Sequence, residues 1–286
     1  MATDYRPPTG SDLITLDGAR MIADGIAYPD FVAASERLRD GADWYDVWAD
    51  NGKRYDEIGQ AAIDAGDAIT GARWLWTGCM NYHYAQFLWF HDPQRREEGQ
   101  RQKVDLYRRA AAHLLPPSER VDIPFGDLTI PAYLRLPAAA ADGRPVPCVL
   151  LIGGLESTKE ESYLFENMCL ERGLATFAFD GPGQGEMYFE LGLQGDFERY
   201  SSACVDYLET RSEVDSERIG VLGRSLGGYY SVRAAACEPR LKACVSWGAC
   251  YHLEDLDDYP PATRKGFLYV TGIDDPDAAR KQLEVI

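Results

Sequence analysis

The chain has 286 residues, 45% of them hydrophobic, with a formal net charge of −17. That length allows one large domain or two smaller ones with a sizeable core. The acidic balance makes nucleic acid and anionic membrane surfaces poor partners and reads as a solvated surface.

The first residues, MATDYRPPTGSDLI, show no basic stretch followed by an apolar one, so a secretory leader is not expected. No apolar run is long enough to cross a bilayer. Residues 1–30 carry Pro7, Pro8 and several Gly and read as irregular. From Phe31 to about Leu115 the apolar spacing is helical. Phe31, Val32 and Leu38 fit a first short helix. Trp44, Tyr45, Val47, Trp48, Tyr55 and Ile58 fit a second, broken near Asn51-Gly52. Ile69–Phe90 fits a third and Glu97–Leu115 a fourth, which Pro116-Pro117 ends. The third helix carries Trp74, Trp76, Tyr82, Tyr84, Phe87, Trp89 and Phe90. Packing between helices accounts for these rings; the competing reading is an aromatic wall of a substrate pocket. His91, near the end of that helix, answers the helix dipole rather than doing chemistry.

After Pro117 the periodicity changes. Arg120–Pro124 and Leu128–Leu136 read as strands joined at Gly126-Asp127, a hairpin signal. Val146–Ile152 is continuously apolar and fits a central strand buried on both faces. Thr158–Arg172 is helical, Leu174–Phe179 is a strand, and the segment Asp180-Gly-Pro-Gly-Gln-Gly-Glu186 follows. Phe197–Arg211 is a helix. Ile219, Val221 and Leu222 form the next strand, Tyr229–Cys237 a helix, Leu241–Trp247 a strand and Asp275–Val285 a last helical piece. Strands alternating with helices predict a mostly parallel sheet covered on both faces. The expected organisation is a helical domain over 1–116 and an α/β domain over 117–286.

Ser225 lies inside Gly223-Arg224-Ser225-Leu226-Gly227, between a strand and a helix. That context is the nucleophile elbow, where a sharp turn strains the apex residue and crowds out side chains two positions either side. A serine raised this way needs a base, a group to orient the base, and donors for the oxyanion. The expected donors are the N–H of Leu226 and the N–H of Leu155, in the loop Gly153-Gly154-Leu155-Glu156-Ser157. Asp180 reads as a loop-fixing residue that satisfies backbone N–H groups, with a catalytic acid as the alternative. The seven Cys have no close pairing and read as reduced core residues of a cytosolic protein; the four His show no metal-ligand spacing. Neither a metal nor a cofactor is expected.

The Gly153-Gly154-Leu155, Asp180–Glu186 and Gly223–Gly228 motifs, with Cys237-Glu-Pro-Arg-Leu241 and Ser246-Trp-Gly248, resemble the α/β-hydrolase superfamily. Within it they resemble the branch of 2,6-dihydroxypseudooxynicotine hydrolase, fungal polyketide-shortening hydrolases and fermentation-respiration-switch-like esterases. The resemblance covers roughly residues 30–286. It implies an α/β-hydrolase core whose N-terminal helices cap the active site, and a serine hydrolase acting on a small molecule. In the best-known members it implies cleavage of a C–C bond next to a ketone, often on an aromatic substrate. A carboxylesterase is the alternative, and a non-catalytic binding protein of the same fold is a third reading. In this superfamily the triad acid and His follow later strands; no such strand–Asp pair and no late His stand after Leu241–Trp247. The triad acid and His are therefore expected to be missing from this chain, with its last strands. His252, with Glu254, Asp255, Asp257 and Asp258 nearby, is a weaker candidate base. A sheet without its last strands exposes an edge, so the chain alone is expected to be poorly soluble or to pair as a homodimer.

Overall fold

A computed structural model describes residues 18–87, 89–90, 92–249 and 256–284. The chain divides into two units: Met1–Leu115 with Pro260–Thr263, and Pro116–Tyr259 with Arg264–Ile286.

The first unit is helical. Residues 18–23 form helical turns, so the irregular stretch expected before residue 30 is partly ordered. Four helices follow: α1 Tyr28–Arg39, α2 Trp44–Asp64, α3 Ala68–Gln86 and α4 Pro93–Ala111. Side chains of Asp43, Asp67 and Asp92 accept the N–H of residues 46, 70 and 95, so three helix starts are capped by the residue type that does it best. The expected break at Asn51-Gly52 does not occur. α2 runs through it because Gly52 is where the Tyr82 ring of α3 presses on the α2 backbone; a Cβ there would lie 2.6 Å from that ring. The aromatic residues of α3 and its exit act as core: Trp76, Tyr84, Phe87, Trp89 and Phe90 are buried, and Trp44 Nε1 donates to Tyr84 O at 2.7 Å. Trp74 is the outlier, 38% exposed and stacked on Tyr55 with ring centroids 5.4 Å apart.

The second unit is a six-stranded sheet in the order β1-β2-β4-β3-β5-β6. Its strands are β1 Ser118–Phe125, β2 Leu128–Arg135, β3 Val146–Ile152, β4 Ala175–Phe179, β5 Val214–Arg224 and β6 Leu241–Trp247. β2 runs antiparallel to both β1 and β4, and β4, β3, β5 and β6 are parallel. The two-residue β1–β2 turn places Phe125 opposite Leu128, with Gly126 at φ 60°. The covering helices are α5 Tyr163–Leu170, α6 Glu198–Glu209 and α7 Leu226–Cys237, followed by α8 Pro261–Val270 and α9 Pro276–Leu283. α8 was not expected. The single helix expected over Thr158–Arg172 is a 3-10 turn, Lys159–Ser162, followed by α5. Leu150, Phe177, Phe197, Ile219 and Tyr230 lie fully buried at the sheet's centre. β6 is one edge, and its residues after Leu241 are all exposed. The parallel strands end together at Gly153, Asp180, Ser225 and Gly248, the carboxyl edge where such sheets gather their chemistry.

Candidate active site

Ser225 joins β5 to α7 with φ 56° and ψ −122°. Only two described non-glycine residues have positive φ, and the other is Glu156. A left-handed serine costs about 1–2 kcal/mol, so its surroundings must hold it there. Its N–H donates to Trp247 O of β6 at 2.8 Å, and its carbonyl accepts the Gly228 N–H at 2.8 Å. The side chain is exposed while Leu226, Gly227 and Gly228 behind it are buried. The two flanking glycines are sterically required. A Cβ on Gly223 would sit 1.8 Å from Gly227 O, and one on Gly227 would sit 2.3 Å from Ile152 O.

The loop after β3 lies against this elbow. A Cβ on Gly154 would be 3.0 Å from Ser225 Cβ and 3.6 Å from its Oγ, so only glycine lets the backbone come this close. The loop turns at Gly154, whose carbonyl accepts the Ser157 N–H at 3.2 Å, and Glu156 takes φ 66°. Leu155 is half-buried at its tip. Arg224 reaches over to this loop, pairing with the buried Glu161 and donating to Ser157 Oγ at 3.4 Å.

The Asp180–Glu186 segment supports the same loop. Asp180 is fully buried; its Oδ1 accepts the Lys159 N–H at 2.8 Å, and its Oδ2 accepts the Glu186 N–H at 3.1 Å. It is thus a loop-fixing residue, as the sequence suggested. Glu160, Asp180 and Glu186 could together ligate a metal. Their oxygens instead surround the Lys159 ammonium at 2.7, 2.7 and 2.6 Å, so Nζ occupies the place a cation would take. Burial would lower the Lys159 pKa, but the three carboxylates outweigh it and hold the group well above the ordinary lysine value. Burial likewise pushes Glu186 up, yet Lys159 and Arg120 outweigh it and keep its carboxyl below the ordinary range. Arg120 Nη1 lies 2.5 Å from Glu186 Oε2.

The structure therefore brings Ser225, the start of α7 carrying Leu226, and the Leu155 loop to one edge. His252, Glu254 and Asp255 lie outside the described residues. Asp257 is exposed and held by Arg264 and Arg280 at 2.8 and 2.9 Å. The described residues of the α/β unit include no histidine. Sequence reasoning missed Lys159 and Gln184. The first sits in a polar run that reads as a helix start, and the second in a Gly-rich segment that reads as a turn. The six described cysteines are free; Cys148 and Cys204 are buried, and burial pushes both thiols up, away from reactivity.

The family model described as Esterase FrsA-like matches residues 30–258. A 2,6-dihydropseudooxynicotine hydrolase of Paenarthrobacter nicotinovorans is 42% identical over 265 residues, which are 93% of this chain and 71% of that protein. The crystal structure of a 2,6-dihydroxy-pseudo-oxynicotine hydrolase superposes with a TM-score of 0.87 at 42% identity, covering 94% of this chain and 75% of that one. A 20-hydroxy-prefusarin hydrolase of Gibberella moniliformis is 32% identical over 256 residues, 82% of this chain and 60% of that protein. The chain thus spans well under the whole length of the relatives it matches.

Proposed function

The chain belongs to the FrsA-like esterase family and is an α/β-hydrolase, and on that premise we propose that Ser225 is its nucleophile, acting on a small ketone to cleave the adjacent C–C bond. The observation that carries the role of Ser225 is its exposed side chain on a strained elbow. A base takes the hydroxyl proton as Oγ adds to the carbonyl carbon, and the carbonyl oxygen becomes an oxyanion. The N–H groups of Leu226 and Leu155 receive that charge, each worth roughly 3 kcal/mol in the transition state. The leaving carbon departs as a carbanion stabilised by a neighbouring carbonyl or aromatic ring and is protonated. Water then hydrolyses the acyl-enzyme. The substrate class read here, a β-diketone-like or acyl-aromatic compound, rests on the family resemblance, and the 42% identity to a 2,6-dihydropseudooxynicotine hydrolase supports it.

A carboxylesterase is the second reading, favoured by the family description. It uses the same atoms and differs only in an alkoxide leaving group. Turnover of short p-nitrophenyl esters beside acyl-aromatic diketones separates the two. Fast ester cleavage with no action on the diketones would reject the C–C reading.

The two units are read as a helical domain, 1–116, and a hydrolase domain, 117–286. Pairing of two copies is supported by the open β6 edge, where Val245 and Trp247 are half exposed; sedimentation tests it. No helix among the described residues is long and apolar enough to cross a membrane, and the free cysteines support a cytosolic setting.

A further inference from the structure

We propose that Gln184 is a positioning residue, clamping the oxyanion loop so that its N–H groups face the elbow; this rests on the reading of Ser225 as nucleophile. Gln184 is buried, and its amide spans two segments. Its Oε1 accepts the Gly181 N–H at 3.1 Å. Its Nε2 donates to Gly153 O at 2.6 Å and to Gly154 O at 3.4 Å. The amide's orientation follows from its partners: Gly181 N–H can only donate and the two carbonyls can only accept.

The consequence lies in peptide geometry. In a trans peptide the C=O and the next N–H point in opposite directions. Holding Gly153 O therefore aims the Gly154 N–H away from Gln184, and holding Gly154 O aims the Leu155 N–H likewise. The Gly153 peptide is thus held by Gln184, and the Gly154 peptide by Gln184 together with the Ser157 N–H. The same segment ties down the loop's other end, where Asp180 binds the Lys159 N–H. Between the two anchors stands Glu156, whose left-handed backbone would relax if the loop were free.

Gln184→Glu is the sharpest test because it keeps the shape and the Gly181 contact. Ionised, the new carboxylate faces two carbonyl oxygens and cannot donate to either. Protonated, it can donate one O–H to Gly153 O. Desolvation and the two carbonyls disfavour the charged form, so the clamp is broken only where the carboxylate ionises and is restored on acidification. Gln184→Met removes the donor at every pH.

The full-length gene product is measured by hydrogen exchange, as protection factors over residues 153–158, and by the rate of Ser225 labelling with a fluorophosphonate. At pH 8 Q184M should lose about tenfold or more of loop protection and label about tenfold more slowly, and Q184E should do the same once its carboxylate ionises, with the protection of β3 and β5 unchanged. On lowering the pH to 5, Q184E should regain protection while Q184M does not. Wild-type-like loop protection in folded Q184M, or Q184E with no recovery in acid, overturns the clamp. If Q184E does not fold at pH 8, Q184M decides. Absence of Ser225 labelling in the wild type overturns the nucleophile instead, and the exchange arm still judges the clamp by itself.

Discussion

Replacing Gly223 by alanine adds one methyl group at the most crowded point of the elbow. Its Cβ would lie 1.8 Å from Gly227 O, 2.2 Å from Gly227 C and 2.8 Å from Gly228 N. All three are backbone atoms in the first turn of α7, so no rotamer change can relieve the overlap. Reaching the 3.0 Å below which such contacts are essentially never found requires β5 and α7 to part by about 1 Å. The Ser225 hydroxyl moves with them. A misplacement of that size costs on the order of a hundredfold in rate, and the overpacking costs about 1–3 kcal/mol in stability. Gly220 supplies the control from the same strand, since a Cβ there meets only Ala243 at 3.4 Å, an ordinary contact. Fluorophosphonate labelling rates and melting temperatures of G223A and G220A, side by side, measure the difference. G220A should behave like the wild type. A folded G223A that labels at the wild-type rate would refute the claim that steric crowding positions Ser225, the proposed nucleophile.

Lys159→Met leaves the buried Glu160 and Asp180 around an uncharged side chain, with only Glu186 keeping a cation in Arg120, a loss of roughly 3–5 kcal/mol, and the melting temperature should fall on the order of 10 °C; a change under a couple of degrees would show that the cluster is not needed. The Glu186 carboxyl is held below its ordinary value, so its contribution is present above the usual carboxylate range and is lost as pH falls through it. Lys159, held above its ordinary value, contributes fully below the usual lysine range. The part of the melting temperature that Lys159→Met removes should thus stay level between about pH 6 and 9 and shrink below about pH 4; a decline of that difference already at pH 6 would contradict the assigned charges. Gln184→Glu should show acid-restored loop protection, as set out above.

The helix and strand pattern was legible because burial repeats along the chain. Val146–Ile152 and Leu241–Trp247 match the observed strands residue for residue. The elbow was legible because sterics leave only glycine at residues 223 and 227. Elements went unread where distant contacts overrode local signals. Gly52 looks like a helix breaker until Tyr82 packs on it. Lys159 looks solvent-bound until three carboxylates from two loops close around it. Gln184 carries no local mark of the loop it holds, because Gly153 and Gly154 lie about thirty residues earlier in the chain.

Whether Ser225 is the nucleophile is decided by mass spectrometry of the full-length gene product after reaction with a fluorophosphonate. One adduct is expected, on Ser225, absent from Ser225→Ala. An adduct on another residue, or none at Ser225 in folded protein, would contradict it.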